Sequence, residues 1–231
     1  PLRRQRQMCI RDSNLAINLK NVNYFGNAVL ESNIIIYTII ASVIAALGFL
    51  NNATPAIIGS MLVSPVLSPL YNILIKYVSN APFNFVKGVG FHIFLLIICA
   101  LIGFIAVSIN ETINMYPKET KEMINRTNYQ YIISDVGIAS MCGIGIAFAI
   151  LRGDIITRVG FGIAITVLPA MVNAGMYLGL TYQAYLNDNQ NKQKEYLEKC
   201  KKTAILTFVN TLVCLLFSFI SLSGYCYFVK N

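Results

Sequence analysis

Small polar side chains recur at every fourth position of one long apolar stretch that contains no charged residue. They are Ser60, Ser64, Ser68 and Asn72. Residues at this spacing lie along one face of an α-helix. Pro65 and Pro69 fall within the same stretch, and each removes a backbone donor and pushes against the carbonyl four residues earlier. The pattern predicts a kinked helix with unpaired carbonyls, which in lipid need a partner such as another helix, a side chain, water or a ligand.

Two interpretations of this polar face remain open. In the first, the hydroxyl and amide groups line a path for a small solute or ion. In the second, serines at this spacing let two helices approach closely and hydrogen-bond across their interface. Gly175 and Gly179 have the same four-residue spacing, and we interpret them as a helix contact rather than as a functional motif.

A second apolar stretch repeats the main features of the first in the same order. The corresponding residues are Gly59, Ser64, Pro65 and Asn72 in the first stretch and Gly162, Thr166, Pro169 and Asn173 in the second. If each half of the chain contains three spans, the second half enters the membrane from the opposite side. Inverted repeats of this kind have a binding site near the bilayer midplane. The spacings differ by a few residues, so chance similarity between two apolar stretches stays open as the alternative.

Two ionisable residues lie close to the start of apolar segments. A carboxylate deep in a span costs roughly 2.5–3.5 kcal/mol on insertion scales. Asp135 is therefore either an acid at a helix start, which the helix dipole favours, or a carboxylate that pairs with a cation, a proton, Arg126 or Arg158. His92, the one histidine of the chain, is predicted to be an interfacial residue rather than a proton relay.

The elements that position these residues must be membrane-spanning helices. Hydrophobic residues make up 56% of the 231 residues and charged residues 12%, with a mean hydropathy of +0.61, whereas soluble domains carry about 25% charged residues. Neither residues 36–75 nor residues 88–110 contain a charged residue. A hydrocarbon core about 30 Å thick needs about 20 apolar residues in a helix, so both runs are long enough to cross it.

Six membrane-spanning helices are predicted, which makes the chain an all-α membrane protein. Their ranges are 32–50, 55–76, 88–109, 131–151, 156–182 and 203–228. The fold predicted from them is two inverted three-helix repeats in which prolines break the second and fifth spans. The polar residues before the sixth span are predicted to extend it as a helix, because two Glu–Lys pairs there have i,i+4 spacing. Short basic loops favour a cytoplasmic position for the connections after spans two and four and for both termini.

The N-terminal residues are interpreted separately from this transmembrane domain, which covers residues 32–228. Residues 6–13, Arg-Gln-Met-Cys-Ile-Arg-Asp-Ser, match one translation of a transposon end used to prepare sequencing libraries, so we expect residues 1–13 to be non-native. The alternative is a native basic arm that binds lipid headgroups. Residues 14–31 are expected to form an amphipathic leader. Without the first thirteen residues the net charge falls from +8 to +5, and no nucleic-acid partner is expected.

Residues 48–70, GFLNNATPAIIGSMLVSPVLSPL, resemble the bacterial membrane family catalogued as domain of unknown function 389, a family of hydrophobic domains. That family has Ile-Gly-Ala-Met followed by Ser-Pro and a second proline, and Ser60 here replaces the alanine. The matching residues are Gly59, Met61, Ser64, Pro65 and Pro69. The resemblance implies a membrane-helical fold. It implies no particular activity, because the family has no established biochemical function.

The resemblance extends over about residues 40–220. It continues at Asp135, at Gly162 and Pro169, and at the string Leu-Thr-Phe-Val-Asn that ends at Asn210. The family has two adjacent prolines in the fifth span, whereas here Ala170 follows the first proline. Any role of the second family proline is therefore absent from this chain.

The predicted function is a transporter or channel-like protein of the bacterial inner membrane that carries a small solute or ion. The alternative is a membrane scaffold or assembly subunit whose polar residues serve helix packing. The predicted path residues are Ser60, Ser64, Pro65, Ser68, Pro69, Asn72, Asp135, Thr166, Pro169, Asn173 and Asn210. No hydrolase motif and no Cys/His metal-ligand spacing occurs, so no catalysis, metal or cofactor is expected. The expected surroundings are the lipid bilayer, with a homo-oligomer left open.

Overall fold

The structure, a computed structural model, describes residues 28–78, 82, 84–113, 115–116, 118–128 and 132–230. Within these ranges all regular elements are helical. They are α1 (Ala28–Leu50), α2 (Thr54–Val63), α3 (Ser68–Val78), α4 (Phe85–Ile113), α5 (Lys121–Asn125), α6 (Ile132–Arg152), α7 (Ile155–Ala164), α8 (Val167–Leu186) and α9 (Gln190–Lys230). The segment predicted to be non-native, 1–13, and most of the predicted leader, 14–27, lie outside the described residues.

Five described segments are long and apolar enough to cross a membrane. They are Ser32–Leu50, Phe85–Ile113, Ile133–Arg152, Ile155–Leu186 and Gln190–Tyr227. The pair α2 and α3 meets the same criteria as a unit but is bent by 41°. The described part of the chain is therefore all-helical, as its apolar runs predict, with five candidate membrane spans, or six if the bent pair crosses as one.

Helices α1 and α9 both begin before the spans that were predicted for them. The last four residues of the predicted leader already belong to α1, which begins at Ala28. Helix α9 has 41 residues, a length of about 60 Å at 1.5 Å per residue, which is about twice the hydrocarbon thickness. The Glu195–Lys199 and Glu198–Lys202 ion pairs, at 2.7 Å and 2.6 Å, run along its polar first section. These i,i+4 pairs confirm the predicted helical extension.

The first interruption separates α2 from α3. Pro65 lies between the two helices, whereas Pro69 is the second residue of α3, where a helix has no N–H bond to lose. The Pro65 carbonyl accepts a hydrogen bond from the Ser68 N–H at 2.9 Å, and the Ser64 hydroxyl accepts one from the Val66 N–H at 3.4 Å. The prediction of an unpaired Pro65 carbonyl is therefore wrong, because the chain forms a turn here instead of a kinked helix.

The second interruption separates α7 from α8. Thr166 has φ 55° and ψ 29°, a left-handed conformation that is uncommon for a β-branched residue. Pro169 lies in the first turn of α8, three residues after Thr166. The first turn tolerates proline because its N–H groups have no intrahelical partner. The helix is therefore interrupted at Ile165 and Thr166, directly before the turn that contains Pro169, and Ile155–Leu186 still qualifies as one candidate span.

Helix α8 is the central helix of the bundle, and it packs mainly against α4 and α9. Glycines permit the closest approach: a Cβ at Gly175 would overlap the Ala100 carbonyl, and a Cβ at Gly103 would overlap the Val172 carbonyl. A Cβ at Gly179 would lie 3.2 Å from the Phe104 carbonyl oxygen. Small residues commonly have this role between membrane helices, and these distances agree with the predicted helix contact.

Candidate functional site

A cleft of about 250 Å³ lies where the two interrupted helices meet. The first contributes residues 61–68 and Tyr71, and the second contributes Val159 and Gly162 from α7 and Val167 and Leu168 from α8. The sequence predicted that these two segments would border one cavity. Three of the predicted path residues line it, and they are Ser64, Pro65 and Ser68.

The lining is mostly apolar, with hydroxyl groups from Ser64, Ser68 and Tyr71. None of the described residues that line the cleft is charged. The Tyr71 hydroxyl donates a hydrogen bond to the Arg158 carbonyl at 3.2 Å, which joins α3 to α7. Gly162 permits this approach, because a Cβ there would lie 2.8 Å from the Tyr71 hydroxyl oxygen.

Helix ends supply the remaining polar groups at the cleft. The last three residues of α2, the first residue of α3 and the first two residues of α8 all line it. Helix starts carry unpaired N–H groups with partial positive charge, and helix ends carry unpaired carbonyls with partial negative charge. The cleft can therefore offer hydrogen-bond donors and acceptors to a small polar solute or ion without a charged side chain.

His92 holds the backbone of the first interruption. Its side chain is buried at 3% exposure, and its Nδ1 lies 2.9 Å from the Val66 carbonyl oxygen. A carbonyl only accepts, so Nδ1 carries the proton and donates. The Nε2 atom is buried without a hydrogen-bond partner among the described residues. His92 is thus buried within the bundle, whereas its predicted interfacial depth in the membrane stays a prediction. The sequence showed a lone polar residue in a long apolar run but not its partner.

Five other predicted path residues are close to the interruptions in sequence but do not line the cleft. The buried Ser60 hydroxyl donates to the Ile57 carbonyl of its own helix at 2.6 Å. Asn72 is half-buried, and its Oδ1 has no partner among the described residues. Three residues are each adjacent in sequence to a residue that lines the cleft but do not line it themselves: Pro69, Thr166 and Pro169.

The last three predicted residues lie elsewhere in the bundle. Asp135 is half-buried in the first turn of α6, which agrees with an acid at a helix start. Asn210 is buried in α9, and its Oδ1 has no partner among the described residues. Asn173 is fully buried in α8 and donates from Nδ2 to the Met123 carbonyl at 3.1 Å. In the described part of the chain, no group of three His, Cys, Asp or Glu residues could hold a metal ion.

Asp154 fixes the start of α7, the helix that carries the second wall of the cleft. Its carboxylate accepts hydrogen bonds from the Thr157 hydroxyl and from the Thr157 N–H, the latter at 3.2 Å. These bonds, the hydroxyl bond first, hold the pKa of the Asp154 carboxyl below its ordinary value. The carboxylate is a good N-cap because it satisfies donors that the first turn leaves unpaired.

Comparison with known families agrees with the resemblance seen at residues 48–70. A family model described as Domain of unknown function (DUF389) matches residues 61–217, which is more than half of the chain and includes all residues that line the cleft. The resemblance is thereby confirmed. No curated protein and no solved structure matches the chain.

Proposed function

Since the chain belongs to the family described as Domain of unknown function (DUF389), its activity must be argued from its own site, and we propose that it carries a small solute or ion across the membrane, as a transporter or channel-like protein. The path runs through the cleft between α2–α3 and α7–α8. The observation that carries this proposal is the cleft of about 250 Å³ at which both interrupted helices end.

We further propose that prolines break both helices and that the helices form two inverted three-helix repeats, α1–α4 and α6–α9, joined by a connection that contains α5. The contacts of the first half have counterparts in the second. In the first half, α1 packs on α2 and on α4, and α3 packs on α4. In the second half, α6 packs on α7 and on α9, and α8 packs on α9. Between the halves, α4 packs on α8 as α9 packs on α3. These pairs support a twofold relation whose axis passes near the cleft, where inverted repeats bind their substrates.

The chemistry of the lining favours a small solute. An ion or polar molecule that leaves water loses hydrogen bonds, and the helix ends and hydroxyl groups can replace part of them. The other lining residues, among them Met61, Val159 and Leu168, are mostly apolar. They can contact a solute but cannot balance the charge of an ion. Permeation requires binding that is favourable enough for entry and weak enough for release.

The membrane scaffold is the second candidate, because several polar groups are already satisfied within the bundle. The hydroxyls of Ser60, Thr181 and Thr207 donate to carbonyls of their own helices. A scaffold uses such residues for close helix contact and leaves the cleft without a permeant. It predicts a stable complex with a partner and no solute-dependent change in melting temperature.

A substitution that fills the cleft distinguishes a transporter from a membrane scaffold. The purified protein is reconstituted in liposomes and screened with small neutral solutes and inorganic ions for flux and for a shift in melting temperature. Ser64→Leu places an apolar side chain in the cleft, so we expect it to abolish both signals while the protein still folds. Ser140→Leu is the matched control, because Ser140 lies in α6, bonds the Val136 carbonyl at 2.7 Å and does not line the cleft.

A flux that survives Ser64→Leu contradicts the proposed path. Co-purification with a partner in mild detergent, with neither flux nor a melting shift for any solute, favours the scaffold.

We also propose a location in the bacterial inner membrane, on the family resemblance. Basic residues at the connections after α3 and after α6 favour the cytoplasmic side for those connections. They are Lys76, Lys87, Arg152 and Arg158. We propose no catalytic reaction, and the exposed apolar faces of the spans are available to lipid or to a second copy of the chain.

A further inference from the structure

The connection between α4 and α6 is hydrogen-bonded to both interrupted helices. The Thr54 hydroxyl donates to Glu122 Oε1 at 2.6 Å, and the Glu122 N–H donates to Asn52 Oδ1 at 3.1 Å. The Asn173 side chain donates to the Met123 carbonyl at 3.1 Å. Thr54 is the first residue of α2, and Asn173 lies in α8. One short segment therefore joins the outer end of the first interrupted helix to the second.

Residues 118–128 lie partly at the surface of the bundle, but two of their side chains, Thr120 and Met123, are buried. The Thr120 hydroxyl accepts a hydrogen bond from the Met123 N–H at 3.4 Å and caps α5. Met123 has 0% exposure and belongs to the main apolar core, together with Phe49 and Val172. Its side chain therefore fills space between the spans rather than contacting water.

Two cations anchor the ends of the segment. The Arg126 guanidinium lies 5.4 Å from the centroid of the Phe49 ring in α1, a favourable cation–π geometry. Burial lowers the pKa of Arg126 from its ordinary value, and the Glu122 carboxylate opposes that shift. At the other end, Lys199 of α9 forms an ion pair with Glu119 at 2.7 Å. The segment is thus attached to α1, α2, α8 and α9.

The bond to Asn173 lies along α8 from the cleft, and neither of its residues lines the cleft. Asn173 follows Thr166 by seven residues, which is about 10 Å along a helix. Helix α8 continues from there to Leu186. The α1–α2 turn and the α4–α6 connection are joined by the hydrogen bonds to Glu122. We name the side of the bundle on which this turn and this connection meet the connector side. A solute that moves from the cleft to the connector side along α8 would meet Met123.

We propose that residues 118–128 are the gate that closes the path on the connector side, with Met123 as the plug and Asn173 as its latch. The gate rests on the proposed function, since it requires a path to close. Opening breaks the Asn173–Met123 bond and withdraws the methionine side chain from the bundle. Because the segment is bonded to Thr54 and to Asn173, movement of either interrupted helix is transmitted to the plug.

Sided thiol labelling tests the gate without the need for a known substrate. Ser64→Cys places a thiol in the cleft, and a membrane-impermeant methanethiosulfonate is added to one face of oriented proteoliposomes. Mass spectrometry of the labelled peptide reports position 64 alone, so the native cysteines do not interfere. We expect slow labelling from the connector side, and about tenfold faster labelling when Met123→Ala or Asn173→Leu weakens the closed state.

Ile138→Ala is the control, because Ile138 lies in α6, outside both the gate and the cleft lining, and is 45% exposed; it should leave the labelling rate unchanged. Unchanged labelling from the opposite face shows that the variants keep their fold. Two results overturn the gate and leave the path intact. One is labelling that is as fast from the connector side as from the opposite face before any gate substitution. The other is a labelling rate that neither Met123→Ala nor Asn173→Leu increases. Absence of labelling from both faces in every variant instead overturns the proposed path, and the gate with it.

Discussion

At the scale of single residues, Gly162 sets how closely α7 approaches α3. A Cβ at this position would lie 2.8 Å from the Tyr71 hydroxyl oxygen and 3.3 Å from Leu67 Cδ1. Gly162→Ala should displace Tyr71 and break its hydrogen bond to the Arg158 carbonyl, which costs about 1 kcal/mol. We expect lower flux and a lower melting temperature, measured on the reconstituted and the purified protein.

The matched control lies two residues earlier in the same helix. Gly160 has open space where a Cβ would be, so Gly160→Ala should change neither flux nor melting temperature, apart from a small gain in helix propensity. Equal behaviour of the two variants would mean that the contact of Tyr71 with α7 has no part in the site.

Single residues were only partly predictable from the sequence. The Ser64 and Ser68 hydroxyls were identified by their four-residue spacing in an apolar run, and both line the cleft. Ser60 has the same spacing but bonds its own helix, since spacing alone does not say which hydroxyl faces a neighbour. The buried contact of His92 with Val66 joins residues that are 26 positions apart, and no local pattern reports such a pair.

At the scale of elements, Pro65 is found where α2 and α3 are separate instead of forming one continuous helix. It lies in the four-residue segment between them, and it has no N–H for an intrahelical bond. Pro65→Ala restores that donor and favours a straight helix through the cleft lining. We expect Pro65→Ala to abolish flux and to leave the melting temperature unchanged or raise it. Pro55→Ala is the control and should keep its flux, since Pro55 lies in the first turn of α2.

Hydrogen exchange in nanodiscs would detect the new helix as stronger protection of residues 64–68 in the Pro65→Ala protein. Full flux in a variant with that protection would show that the interruption is not needed for transport.

The two interruptions differ in how far the sequence located them. The first was found at the Ser-Pro pair, because Pro65 lies in the break itself. The second was assigned to Pro169, and the irregular residue Thr166 lies three positions before it. The left-handed conformation of Thr166 could not be predicted, because it is uncommon for a β-branched residue.

At the scale of the whole molecule, apolar runs alone were sufficient to predict a helical membrane protein. They also placed the ends of the candidate spans within four residues, except at the start of α9, because each run has to match the hydrocarbon thickness. The connection between α4 and α6 lies outside the six predicted spans. Its buried Met123 was missed because its bond to Asn173 joins residues 50 positions apart, and its ion pair to α9 joins residues 80 apart.

The central claim is that water and solute reach the cleft between the two interrupted helices. A spin label at Ser64→Cys, in a chain whose native cysteines are replaced, reports collisions with a water-soluble nickel complex and with oxygen in nanodiscs. The reference label is Ile105→Cys on α4, where the native side chain is 52% exposed on a membrane span. The account predicts strong nickel access at position 64 and oxygen access alone at position 105. Nickel access that is equally low at both positions would contradict it, because the cleft would then be sealed from water.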